Sequence, residues 1–166
     1  MQIDSLQKLY VEELRDLHSA ERQILQALPK MIKAASSPEL QSALEGHLKI
    51  TQEHLARLDQ IFEGLGEKGT GKKCKGMEGV IADGQEMLEG DMTPEVRDAA
   101  IISAAQHVEH YEMAGYGTVR TYADLLEEKE AQKLLQKTLD EEDDADKKLT
   151  KLAEKINVEA EVPVAG

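Results

Sequence analysis

The chain has 166 residues and a formal charge of −13, with 33 Asp and Glu against 20 Lys and Arg. That balance argues against a general nucleic-acid binder, which shows a basic face, and no apolar run approaches the length of a membrane span. Aromatics are 3% of the residues, with no Trp and one Phe, while Leu, Ala, Glu, Lys and Gln abound, so the composition favours an all-α protein in one domain.

Asp4 and Ser5 can each cap the start of a first helix. Its apolar stripe runs Leu6, Tyr10, Leu14, Leu17, Ile24, Leu28 and Met31, and the member missing between Leu17 and Ile24 is Glu21. Pro29 inside the pattern is expected to kink or shorten the helix. Ser37-Pro38-Glu39 joins an N-cap, a proline at the first helical position and an acid in the first turn. The second helix that follows carries Leu40, Leu44, Leu48, Thr51, Leu55, Leu58, Phe62 and Leu65, with His47 and His54 flanking the stripe.

From Gly64 to Gly79 the chain is glycine-rich and carries Lys72-Lys73-Cys74-Lys75, which reads as a solvated loop, with a short amphipathic helix over Val80 to Leu88 behind it. Thr93-Pro94-Glu95 starts a third long helix that should reach Leu126. Its stripe is Ile101, Ala105, Val108, Gly115, Val119, Tyr122 and Leu126, with Glu112 where a leucine would fit and Glu109 one turn before it. A fourth long helix is predicted from Glu130 to Ile156, with Glu142 and Asp146 as the positions missing from its centre. The domain is thus expected to span residues 1–156, and 157–166 to form a disordered tail. Cys74, the one cysteine, has no partner for an internal disulfide, and no charged-then-apolar leader opens the chain, so a cytoplasmic protein is expected.

Sliding the chain by 91 residues sets Tyr10, Leu14, Leu17, Glu21, Ile24 and Leu28 on Ile101, Ala105, Val108, Glu112, Gly115 and Val119. Two helical hairpins joined by a long connection make a four-helix bundle with one crossover, and Glu21 and Glu112 then share a level in its middle. An ionised carboxylate in a core costs several kcal/mol, order of magnitude only, unless something pairs with it. Acids at one level would also raise each other's pKa. A pair of divalent cations removes both difficulties, and carboxylate with imidazole suits iron or manganese. Dimetal bundles use one Glu from each of two helices and a Glu-x-x-His from each of the other two. This chain approximates that set through Glu21, His54, Glu109, Glu112, Glu142 and Asp146. It has no Glu-x-x-His on its second or fourth long helix, and Glu109-x-x-Glu112 has the spacing on the third. His107 and His110 point away from the stripe, and Tyr111 and Tyr116 read as packing or hydrogen-bonding residues. The alternative is a non-catalytic bundle whose acids are paired by protons, Arg or Lys, or a simple iron buffer.

Ser19-Ala20-Glu21, Met77-Glu78-Gly79, Arg97-Asp98-Ala99-Ala100, Val108-Glu109-His110-Tyr111-Glu112 with Gly115-Tyr116-Gly117-Thr118, and Thr138-Leu139-Asp140-Glu141-Glu142 resemble the YciF-type bacterial stress proteins along nearly the whole chain. The resemblance implies a ferritin-like fold similar in architecture to rubrerythrin, a homodimer, and a ferroxidase function assigned to that family by analogy. It implies two metal ions per chain, iron or else manganese, on Glu21, Glu109, Glu112, Glu142 and Asp146. It also shows a departure: relatives carry a Glu where this chain has Ile50, and Glu53 is the nearby carboxylate that could compensate.

Overall fold

The computed structural model describes residues 3–161, and within them five helices and no strand. Four long helices, α1 (Leu6–Ala34), α2 (Pro38–Leu65), α4 (Pro94–Leu125) and α5 (Lys129–Glu161), form the bundle, and α3 (Lys75–Leu88) lies within the connection between α2 and α4. The expected caps form. Ser5, Ser37 and Thr93 each accept a hydrogen bond from the backbone N–H three residues on, and Pro38 and Pro94 occupy first-turn positions where a missing N–H costs nothing.

Around the bundle α1 neighbours α2 and α4, and α5 neighbours α2 and α4. The apolar core falls into two clusters. One joins Ile24 and Leu28 of α1 to Leu40 and Leu44 of α2, Ile101 and Ala105 of α4, and Leu149 and Ile156 of α5. The other joins Tyr10, Leu14 and Leu17 to Leu58 and Phe62, Val119 and Ala123, and Leu135. Ends meet starts in each cluster, so adjacent bundle helices run antiparallel. Gly115 admits α1 closely: a Cβ there would stand 2.7 Å from Leu17 Cδ2. The α1–α2 turn is tied to α4 by buried Asp98, whose carboxylate accepts from the backbone N–H groups of Ser36 and Ser37 at 2.7 Å each.

Three expectations change. Pro29 neither stops nor shortens α1, which continues to Ala34; Pro29 is exposed, so water can serve the carbonyl that it leaves free. α3 begins at Lys75, inside the stretch read as a loop. Its N-cap is Cys74, which is buried, whose thiol accepts from Met77 N–H and whose backbone N–H donates to Ser19 Oγ at 2.8 Å. α5 runs past Ile156 to Glu161, so the expected tail is helical in its first part, while residues 162–166 lie outside the described residues.

Candidate metal centre

Between the two apolar clusters each bundle helix presents ionisable side chains. α1 gives Glu21, α2 gives His47 and His54, α4 gives Glu109 and Glu112, and α5 gives Glu142. Glu21, His54, Glu112 and Glu142 have no exposed surface, and Glu109 and His47 are buried. Seven residues are nearly two full turns, so His47 and His54 share one face of α2. Thr51 stands between them and satisfies its hydroxyl on His47 O at 2.9 Å. Glu109 and Glu112 share a face of α4 by their spacing of three.

These six side chains form two groups with one member in common. Ligand atoms of His47, Glu109, Glu112 and Glu142 all lie within 4.8 Å of one another, and so do those of Glu21, His54 and Glu142. His54 Nδ1 is 2.8 Å from Glu142 Oε1 and 3.4 Å from Glu21 Oε1, and His47 Nε2 is 3.1 Å from Glu109 Oε1. Among the described residues twelve buried side-chain N or O atoms lack an aligned hydrogen-bond partner, and nine of them belong to these six residues. Native interiors satisfy nearly all such atoms, so the concentration at one level is the mark of a site built for something else. The donor set, four carboxylates and two imidazoles, suits iron or manganese.

Protonation tells the same story. Burial, together with the charges of Glu142 and Glu21, pushes the Glu109 and Glu112 carboxyls well above the usual carboxylate range. Burial acts the same way on Glu142, but contacts with the Glu109 carboxyl and with His54 outweigh it and bring that group below the ordinary value. Burial opposes a charge on His54, yet Glu142 and Glu21 pull its pKa up to about 10. Without metal these shifts all favour the protonated forms of Glu109, Glu112 and His54, the direction that relieves crowded negative charge.

His54 is also held from behind. Its Nε2 meets Glu141 Oε2 at 3.0 Å, and Arg57 grips the same carboxylate at 2.5 and 3.0 Å while donating to Thr138 Oγ1. This arrangement aims Nδ1 at the centre, as outer carboxylates do for metal-ligating imidazoles. On the other side Tyr116, wholly buried, donates its hydroxyl to Glu21 Oε1 and leaves Oε2 without a partner.

Comparison with known proteins identifies the lineage. The Domain of unknown function (DUF892) matches residues 5–161. The chain belongs to this family. Protein YciF of Escherichia coli (strain K12) is 42% identical over 163 residues, covering 97% of this chain and 98% of that protein. The crystal structure of the E. coli stress protein YciF superposes with a TM-score of 0.91 at 41% identity, covering 94% of this chain and 99% of that one. YcfI from Rhodopseudomonas palustris gives 0.87 at 40%, covering 90% and 95%. The ferritin-like bundle is thus the architecture of YciF-type proteins. No helix among the described residues is long and apolar enough to cross a membrane.

Of the residues singled out in this DUF892 chain, Glu21, His54, Glu109, Glu112 and Glu142 converge. Asp146 does not join either group. One turn beyond Glu142 it turns toward α4, where it accepts from Gln106 Nε2 at 3.1 Å and lies 3.2 Å from His110 Nε2. Glu53 does not replace the carboxylate absent at Ile50: it points to solvent, 65% exposed, and pairs with Arg57. Ile50 instead lines an open pocket of about 790 Å³ that reaches His47 and Glu109 and whose wall mixes Glu141 and Asp144 with Lys147, Lys148 and Lys151. Sequence reading missed His47 as a member, along with Arg57 and Glu141 behind His54. The seven-residue step from His47 to His54 was the available signal for the first. If the centre binds metal, Glu141→Gln is expected to weaken Mn(II) binding by roughly ten- to a hundredfold with helix content unchanged, read by calorimetric titration and circular dichroism.

Proposed function

We propose that this chain is a stress-response protein whose bundle holds a carboxylate-rich dinuclear iron or manganese centre and oxidises Fe(II). The observation that carries the reading is the convergence of four buried carboxylates and two buried imidazoles, nine of whose N and O atoms lack an aligned hydrogen-bond partner. The inventory equals that of dimetal bundles, four Glu and two His, although α2 supplies both histidines and α4 two glutamates. Bound there, iron supplies one-electron chemistry between its ferrous and ferric states, with dioxygen or peroxide as the electron acceptor.

The protein's own part is to hold the ligands and to exchange protons for charge. Glu142 would serve both positions, because it belongs to both groups. Glu141 and Arg57 fix the direction of His54, and Tyr116 fixes one oxygen of Glu21. The open pocket beside Ile50 gives solvent a way to His47 and Glu109, and Lys147, Lys148 and Lys151 stand in its wall with Glu141 and Asp144. Likeness to YciF supports the stress role, and a cytoplasmic homodimer is part of the same proposal.

The upward shifts of His54, Glu109 and Glu112 favour one rival reading, a non-catalytic bundle whose acids are paired by protons. Aerobic Fe(II) oxidation separates the two. The ferroxidase reading expects a rate well above that with an unrelated acidic protein, and a fall of at least about a hundredfold in Glu112→Gln, the order expected for loss of a ligand that outranks an outer-shell group. An equal rate with the unrelated protein would leave only binding or scaffolding.

A further inference from the structure

Beneath α3 lies a second cavity, of about 240 Å³ and almost wholly apolar, walled by α1 and α4 and roofed by α3. Its origin is legible residue by residue. Ala27 and Ala34 of α1 and Ala104 and Ala105 of α4 stand where larger side chains would fill the space, while Ile81 and Leu88 of α3 close over it. Gly84 seats the roof: a Cβ there would lie 3.0 Å from Ala104 Cβ, so α3 rests on α4 with only the Ala104 methyl between them. The inner end is formed by His47 and Glu109, and the outer end by Lys30, Gln85 and Glu89.

The volume exceeds the roughly 150 Å³ of an engineered apolar cavity that stays dry and binds benzene, so the space is large for a dissolved gas and fits an organic group of several carbons. A charged head would find no counter-ion in the apolar middle, and desolvating it there would be costly. At the mouth Lys30 and Glu89 carry opposite signs, which favours neither an anion nor a cation.

We propose that this cavity binds an uncharged medium-chain alkyl compound, one end of which meets the His47–Glu109 pair. His47 and Glu109 also line the open pocket beside Ile50, whose wall mixes acids with lysines, so the pair lies between two approaches. The ligand's meeting with a metal centre rests on the proposed function; its binding does not.

The test uses 1-octanol as the probe and metal-free protein. Saturable binding is expected, with intermolecular nuclear Overhauser contacts from the alkyl protons to Ile24, Ala105 and Val108 methyls. Ala105→Leu and Ala27→Leu, which fill the space from two walls, are each expected to weaken binding at least tenfold while the melting temperature holds or rises. No saturable binding, contacts only to other surfaces, or unchanged affinity in both filled variants would overturn the proposal. The contact pattern of the unaltered protein decides the matter even if a variant folds poorly. Adding Mn(II) then tests the other reading: broadening of the alkyl protons nearest His47 puts ligand and metal together. Mn(II) that fails to bind, with the octanol contacts intact, counts against the metal centre and leaves the cavity's ligand standing.

Discussion

Glu142→Gln is expected to abolish high-affinity metal binding at both positions of the centre, whereas Glu21→Gln and Glu109→Gln are each expected to weaken one. The asymmetry follows from geometry: Glu142 has ligand atoms within 4.8 Å of both groups, Glu21 belongs only to the His54 group, and Glu109 only to the His47 group. An amide fills the carboxylate's volume but carries no charge, so a shared anion disappears from two sites at once. Each loss should exceed about a hundredfold, since even outer partners of metal ligands are worth ten- to a hundredfold. Titration with Mn(II) under calorimetry reads stoichiometry and affinity together. Retention of both high-affinity ions by Glu142→Gln would remove the shared role. Retention of one would assign Glu142 to a single group.

The second large effect is on pH dependence, and metal should reverse it. In metal-free protein His54 is raised from 6.5 to about 10 by Glu142 and Glu21, so the folded state holds a proton that the unfolded chain releases near neutrality. A group raised on folding contributes stability that is fully present below its unfolded pKa and is lost as pH rises toward the folded one. Glu109 and Glu112, raised by burial, act in the same direction. Glu141 and Glu142 are lowered, so what they contribute is present throughout the neutral range and is lost only on acidification. His47 is lowered by burial, so its contribution is complete once pH exceeds its unfolded value near 6.5. Between pH 7 and 9 the net slope is therefore downward. Unfolding by urea in EDTA is expected to show a loss of at least about 2 kcal/mol over that window, since one proton across two pH units is worth roughly 2.7 kcal/mol. With Mn(II) the slope should flatten or invert, because metal displaces those protons and binds more tightly as pH rises. Stability in EDTA that is flat or rising from pH 7 to 9 would contradict the proton-held cluster.

Much of this centre could be read from gaps in periodicity. Glu21, Glu112 and Glu142 interrupt apolar stripes that continue on either side, and a helix that continues through such a gap must bury the interrupting residue. The proline caps at Ser37 and Thr93 gave helix starts for the same reason, because they are local. What could not be read depends on three-dimensional neighbours. Cys74 caps α3 because Ser19 and Met77 meet it, and a cysteine is not an ordinary capping residue. Asp146 fits the same stripe as Glu142, yet Gln106 and His110 on α4 draw it aside. His47 sits beside the stripe rather than in it, and only the approach of α4 and α5 buries it. Glu53 faces water because Arg57, which pairs with it, turns its guanidinium toward Glu141 and Thr138. The end of α5 was set too early because acids and valine after Ile156 do not by themselves stop a helix.

The most direct test is the metal content of the unaltered protein, purified without nickel resin and measured by inductively coupled plasma mass spectrometry. About two iron or manganese ions per chain are expected from a donor set of four carboxylates and two imidazoles. Metal-free protein that takes up neither ion on titration, and that Glu112→Gln and Glu142→Gln stabilise, would contradict the account.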